Sequence, residues 1–414
     1  MTTKRTLMAM LMLICLAAPA RADLAAGVEA YSRGDFVLAM RELKPLAQAG
    51  GAQAQGLVGN MYYAGQGVPR DYTQAASWFA KAAGQGLATA QGILGVMYAQ
   101  GQGVPQDLAQ ALHWYRLAAE QGLAEAQFSL GGMFEKGQGV PADPAQAAEW
   151  YRKAALQDLA DAQVNLGGMY LQGQGLPRDV NEALKWFRKA ADLGAAAAQY
   201  NLGVMYHQGQ GVIVDLPEAA RWFEKAAQQG DIKAQYALAN LYYQGGPGLA
   251  QNLFEARRWF TQAAQLGHAQ AQYNLGVMHA SGQGMPPNHA EAAKWYRMAA
   301  EQGLAEAQYN LGVAYYGGAG LAQSHAQAAA WFQKAAEQGY PLAMFYLGDM
   351  YDKGLGLAQD DRQAYLWLSL AAARLTGPGQ QKTLARLNAL SGKIPPEQLW
   401  RLQERIRLWQ PKEP

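Results

Sequence analysis

The chain has 414 residues, of which 50 % are hydrophobic and 16 % charged, with a net charge of +2 and 47 glycines. So small a charge imbalance leaves no footprint for nucleic acid or an anionic membrane surface, and the apolar share excludes a disordered polar chain. Alanine and glycine are abundant and β-branched residues few, a helical composition with small residues at close contacts.

Residues 1–22 read as a secretory signal. Lys4 and Arg5 form its positive start, Leu7 to Ala18 a short apolar run, and Ala20-Arg21-Ala22 the small residues of a cleavage site after Ala22. The run is too short to span a bilayer comfortably, and Cys15 follows Ile14 instead of the small residue of a lipid-anchored signal. The mature chain is therefore expected to be periplasmic or secreted and not membrane-spanning. Cleavage leaves 31 basic and 32 acidic residues and removes the single cysteine. Stability in an oxidising compartment then rests on packing, without disulfides.

Residues 23–50 read as a shortened capping unit, with the loop Ser32-Arg33-Gly34-Asp35 and with Glu42 where later units carry tryptophan. Nine units follow over 51–375. Trp78, Trp114, Trp150, Trp186, Trp222, Trp259, Trp295, Trp331 and Trp367 recur every 36 residues, with one step of 37. A stacked array explains such a beat, because each unit buries the same side chain against its neighbour.

In the unit Gly86 to Gly122, Ala90, Leu94, Met97 and Tyr98 have helical spacing and define helix A. Gly101-Gln102-Gly103 stops that helix, and Val104-Pro105 extends the chain. Asp107 then caps helix B, with Gln110 three residues on, the pattern of a capping box. The pair recurs as Asp71/Gln74, Asp143/Gln146, Asp179/Glu182, Asp215/Glu218, Asn252/Glu255, Asn288/Glu291, Ser324/Gln327 and Asp360/Gln363. Helix B carries Ala111, Trp114, Tyr115, Ala118 and Ala119 and ends at Gly122.

Gly95 sits inside helix A, as does its counterpart in every unit but one, where Ala239 stands. A mid-helix glycine costs about 1 kcal/mol against alanine, so its recurrence predicts close helix approach beside a bulky ring, with the tryptophan as the expected partner. Trp186→Ala is expected to lose about 3–5 kcal/mol, read by thermal melting. One extra residue in Gly245-Gly246-Pro247-Gly248 accounts for the long step. Residues 376–414 follow Gly377-Pro378-Gly379 with two helices, about 380–391 and 396–409, whose Leu384, Leu387, Leu399, Leu402 and Ile406 cover the last open face.

Ala126-Gln127, Leu130-Gly131, Met133, Gly137, Gly139, Asp143, Ala147, Trp150-Tyr151 and Ala154-Ala155 carry, in one unit, a pattern that closely resembles the Sel-like repeat (SLR) family, relatives of the tetratricopeptide repeats. The resemblance covers about residues 51–375. It implies an all-α fold, a right-handed superhelical α-solenoid of stacked antiparallel helix pairs. It also implies a scaffold that binds a protein or peptide partner, and bacterial relatives are often exported.

In such arrays helix A lines the concave side, so its variable positions are the candidate ligand surface. Tyr200, Tyr236, Tyr273 and Tyr309 stand two residues before the recurrent leucine, and Asn165, Asn201, Asn274 and Asn310 stand one before it. An amide can pair with the backbone of an extended peptide, and tyrosine adds rigid contact area with a polar tip. The competing reading is internal packing for both. An envelope-glycan binder, or a regulator of a cell-wall enzyme, is the second functional class, with Tyr200 and Tyr273 stacking on sugars.

Catalytic patterns are absent. His113, His207, His268, His279, His289 and His325 are scattered, with no H-E-x-x-H zinc motif. The G-x-G pairs end helices and are not phosphate cradles. The sequence therefore predicts no enzyme, no metal, no cofactor and no nucleic-acid partner.

Overall fold

The computed structural model describes residues 23–412, so the secretory-signal segment lies outside the described residues. The described residues form 22 helices and no strand. They divide into two compact units, one ending at Leu193 and the other beginning at Gly194.

In the first unit, the capping pair Leu24–Ser32 and Phe36–Gln48 precedes four repeats. Their A and B helices are Ala52–Ala64 and Tyr72–Gly84, Ala88–Gln100 and Leu108–Glu120, Ala124–Lys136 and Pro144–Ala155, and Ala160–Gln172 and Val180–Asp192. The second unit holds repeats five to nine: Ala196–Gln208 and Leu216–Gln228, Ile232–Gln244 and Leu253–Gln265, Ala269–Ser281 and His289–Glu301, Ala305–Gly317 and His325–Glu337, and Pro341–Lys353 and Asp361–Ala372. Two closing helices follow, Gly377–Ser391 and Pro396–Arg407. The first of these starts at Gly377, earlier than the sequence suggests, because Pro378 sits in its first turn, where a missing N–H is harmless. Within each unit every A helix packs on its own B helix, and each B helix packs on the next A.

Every predicted cap is in place: Asp107 accepts from the amides of Ala109 and Gln110, and Asn288 from that of Glu291. The capping box is corrected in its second half. The N–H of the cap residue donates to a helix A carbonyl, as Asp107 does to Tyr98 at 3.0 Å and Asn288 to His279 at 2.8 Å. The acid three residues on is thereby released, and Glu218, Glu255 and Glu291 pair instead with Arg221, Arg258 and Lys294.

The partner of the helix A glycine is also corrected. It faces the residue that follows the tryptophan, an aromatic ring except in the ninth repeat, where Gly348 meets Leu368. A Cβ on Gly59 would lie 2.9 Å from the Phe79 ring, and one on Gly312 2.7 Å from Phe332. In the capping pair Gly27 faces Leu43 in the same way, so this contact extends to a unit without tryptophan. The tryptophans lie one position around helix B. Trp78, Trp186, Trp259 and Trp367 are buried, the others half-buried. Lys153 lies 3.7 Å from the centre of the Trp150 ring and Lys334 3.9 Å from that of Trp331, so these indoles border solvent.

The second glycine of each G-x-G has a separate task. Gly103 has φ +71°, and a Cβ there would overlap the backbone carbonyl of Tyr72, the first residue of the preceding B helix. This glycine lets the loop of one repeat press on its predecessor. The extra residue of the sixth repeat is absorbed by a tight turn in which Gly246 and Leu249 exchange backbone hydrogen bonds of 2.8 and 2.9 Å.

A buried glutamine ladder ties neighbouring repeats together. Gln91 donates from Nε2 to the Ala83 carbonyl at 3.1 Å, and its Oε1 accepts from Gln121 at 2.7 Å. The same arrangement links Gln127 with Gln157 and Gln308 with Gln338. It fails at Gln163 and Gln235, whose Oε1 atoms are buried without a partner. Exposed Leu193 and Leu266 occupy the positions of the missing donors. Leu266→Gln should satisfy the Gln235 oxygen and raise stability by about 1 kcal/mol. A higher unfolding midpoint in chemical denaturation is the expected result.

Candidate interaction face on the A helices

The proposed ligand residues all lie on A helices and are half-buried. Their surroundings divide them. The Asn165 amide lies beside the Tyr151 hydroxyl and the Asn310 amide beside those of Tyr273 and Tyr296, where they oppose the rise of those hydroxyl pKa values, so these two amides have polar neighbours inside the fold. Asn201 and Asn274 have no hydrogen-bond partner among the described residues.

The tyrosines pack on the same rings that face the glycines. Tyr200 lies 5.6 Å from Phe223, Tyr273 6.0 Å from Tyr296, and Tyr309 5.9 Å from Phe332 between ring centres. Tyr309 also touches Tyr340 and Tyr346, which makes it part of an aromatic cluster. Burial raises the hydroxyl pKa of Tyr200, Tyr273 and Tyr309, and that of Tyr296 is pushed up to about 12. All four are therefore neutral hydroxyls that can donate as well as accept.

The structure joins Tyr200 and Tyr236 across the fifth and sixth repeats in one recess of about 480 Å³. Its wall adds His207, Lys233, Asn240, Gln244 and His268. Tyr236 and His268 stack with ring centres 4.4 Å apart. The His268 Nδ1 accepts the Ala271 amide at 3.2 Å, which caps its helix. Burial lowers the His268 pKa, so the ring is neutral and its proton sits on Nε2.

The sequence reading stops at the tyrosine and misses this wall. Helical spacing supplies the signal: Asn240 and Gln244 lie four and eight residues beyond Tyr236, and His207 seven beyond Tyr200.

A comparable recess of about 470 Å³ in the first unit is lined by Tyr115, Phe128, Ser129, Glu135, Tyr151 and Asn165, among others. There Tyr151 donates its hydroxyl proton to Glu135 at 2.7 Å. Burial, with this bond and the Glu135 charge, raises the Tyr151 pKa. Among the described residues no group of three or more acids, histidines or cysteines could hold a metal ion, and no helix is long and apolar enough to cross a membrane.

Helix pairs repeated at this length, each closed by a small residue against a large side chain and packed B helix on next A helix, define a helical repeat protein of the solenoid class. The Sel1 repeat model matches nine consecutive segments, 52–87, 88–123, 124–159, 160–194, 196–231, 232–268, 269–304, 305–340 and 341–374. The chain belongs to the Sel1 repeat family, whose members generally act as protein–protein interaction scaffolds and are typically non-catalytic.

Among solved structures, the chain is similar to a protective antigen of uropathogenic Escherichia coli strains that displays an SLR fold. The two are 33 % identical with a TM-score of 0.61, over 94 % of this chain and 92 % of that one. A Sel1 repeat protein from Oxalobacter formigenes is also 33 % identical, with a TM-score of 0.54 over 58 % of this chain and 95 % of that one. No curated protein matches the chain.

Proposed function

We propose that this chain is an exported scaffold that holds a protein partner as an extended segment on the A-helix face of its repeats. The observation that carries the reading is the pair Asn201 and Asn274, recurrent, half-exposed and without a partner among the described residues. Each amide offers one acceptor and two donors to a peptide backbone, which lets such a ladder hold a segment without demanding its sequence. Asn165 and Asn310 serve packing, and Tyr309 belongs to the aromatic cluster.

Export rests on the features of residues 1–22. It is supported at the junction: Asp23 is the cap of the first helix and accepts the Ala25 amide at 2.9 Å. Cleavage after Ala22 would leave that helix complete. Mass spectrometry of the protein from the periplasm or medium should find Asp23 as its first residue; a retained Met1 would contradict export by cleavage.

Asn201→Ala with Asn274→Ala should leave the melting temperature within about 2 °C, since neither side chain is bonded in the fold. Capture of the protein partner in cells should fall by about tenfold, the loss of two modest hydrogen bonds. Lost stability with intact capture would overturn the assignment. Equal loss from Asn165→Ala would show that the free amides have no special part.

A further inference from the structure

We propose that the recess between the A helices of the fifth and sixth repeats is a carboxylate-binding subsite. The assignment deepens the peptide-binding reading and rests on it for biological context, but the chemistry comes from the recess itself. No Asp or Glu lines it, whereas Lys233, His207 and His268 do. Lys233 makes no ion pair among the described residues. The Nδ1 of His268 is occupied by the Ala271 amide, so its Nε2–H is a donor, and stacking on Tyr236 fixes the ring. Gln208 accepts from Gln210 through its Oε1 at 2.7 Å, which leaves its own amide N–H groups as donors.

One lysine and neutral donors match a single negative charge better than a phosphate dianion, for which arginine forks or several lysines are the usual complement. Val204, Ala237 and Leu241 give the remaining wall an apolar character suited to the organic body that carries the acid.

The first unit supplies an internal contrast. Its recess carries Glu135, two repeats before His207, and that carboxylate already accepts the Tyr151 hydroxyl. Where the protein provides the carboxylate, the recess has no need of one. The first recess also carries Lys136, beside that acid; where histidine replaces Glu135 and no acid remains on the wall, the lysine is left for an acid that the ligand supplies. The acid is either the terminus of a peptide or an Asp or Glu side chain within it.

Three probes separate these cases in ligand-observed NMR titrations of the full mature chain. N-acetyl-glutamine carries the α-carboxylate, its isomer N-acetyl-isoglutamine the side-chain carboxylate, and N-acetyl-glutaminamide neither. At least one acid should bind about tenfold more tightly than the neutral probe, the worth of a charge-assisted hydrogen bond. Preference for N-acetyl-glutamine assigns a chain terminus; preference for its isomer, or none, includes an internal acid.

Lys233→Gln should remove the advantage over the neutral probe, while Lys136→Gln, in the first unit, should keep it. His268→Asn keeps a good helix cap but loses the stack on Tyr236; it should weaken acid binding about threefold, as expected for one lost neutral hydrogen bond, with the chain still folded by circular dichroism at the temperature of the titration. Equal binding of acids and neutral probe, or an acid preference that survives Lys233→Gln, would overturn the assignment. Protein capture by the A-helix face with no acid preference would overturn this subsite alone and leave the scaffold reading standing.

Discussion

Phe332→Ala should destabilise the second unit by about 3–5 kcal/mol, whereas Trp331→Ala should cost about 1–2 kcal/mol. The smaller ring carries the larger effect because of where it sits. Phe332 is 0 % exposed, lies against Gly312 and contacts Tyr309 and Tyr346. Its removal opens a cavity among side chains that cannot all follow. Trp331 is half-buried under Lys334 and borders solvent, so water fills much of the space it leaves. Trp186 is buried at 8 % exposure and keeps the larger expected loss. Its indole N–H has no hydrogen-bond partner, so its contribution is packing, and Trp186→Phe should recover most of the loss from Trp186→Ala. Paired chemical-denaturation curves for the Phe332 and Trp331 variants check the order. A Trp331→Ala loss as large as that of Phe332→Ala would show that the indoles, not the rings beside them, hold the stack.

Arg386→Ala should cost about 2–3 kcal/mol by leaving Asp349 undercompensated. Asp349 is 5 % exposed on the A helix of the last repeat. It pairs with Arg386 on the closing helix Gly377–Ser391 and with Lys353 on its own helix at 2.9 Å. The first bond joins the array to its cap. Lys393 adds a weaker link, 3.8 Å from Asp352 and 4.0 Å from Asp361. The preceding repeat has Val313 at the position of Asp349. Asp349→Val combined with Arg386→Leu should therefore return stability to within about 1 kcal/mol of the parent, since a buried ion pair is often replaced by apolar packing without loss. Amide exchange across Gly377–Ser391 reports the outcome locally: faster in Arg386→Ala and restored in the double variant. Unchanged exchange in Arg386→Ala would mean that the cap is held by its apolar contacts alone.

Much of the fold was legible because its determinants are local. Apolar spacing gave both helices of each repeat, Gly101 and its counterparts gave their stops, and Asp, Asn and Ser gave the starts of helix B. Periodicity identifies which residues recur, however, and not which of two adjacent ones faces inward. Trp114 and Tyr115 repeat with the same beat, yet about 100° of helix turn separates them. Only the position of Gly95 against the Tyr115 ring selects between them.

The glutamine ladder was missed for a related reason. Gln91 and Gln121 are polar, and polar residues are read as surface unless a partner is known. Their recurrence 30 residues apart, broken at Leu193 and Leu266, was the available signal. At the candidate site, the tyrosines and asparagines were visible as a column. Which amides are free depends on hydroxyls from the preceding B helices: Tyr151 and Tyr296 stand 14 residues before Asn165 and Asn310, whereas Phe187 and Phe260 stand 14 before Asn201 and Asn274, a spacing whose meaning shows only once the helices are packed.

A photo-crosslinking residue at position 274, compared with one at position 334 in intact cells, tests the scaffold most directly. Position 274 lies on the A-helix face, while Lys334 is exposed on a B helix over Trp331. Protein adducts from position 274 and none from 334 are the predicted result. Adducts from 334 alone, or glycan instead of protein captured at 274, would contradict binding of a protein partner along the A helices.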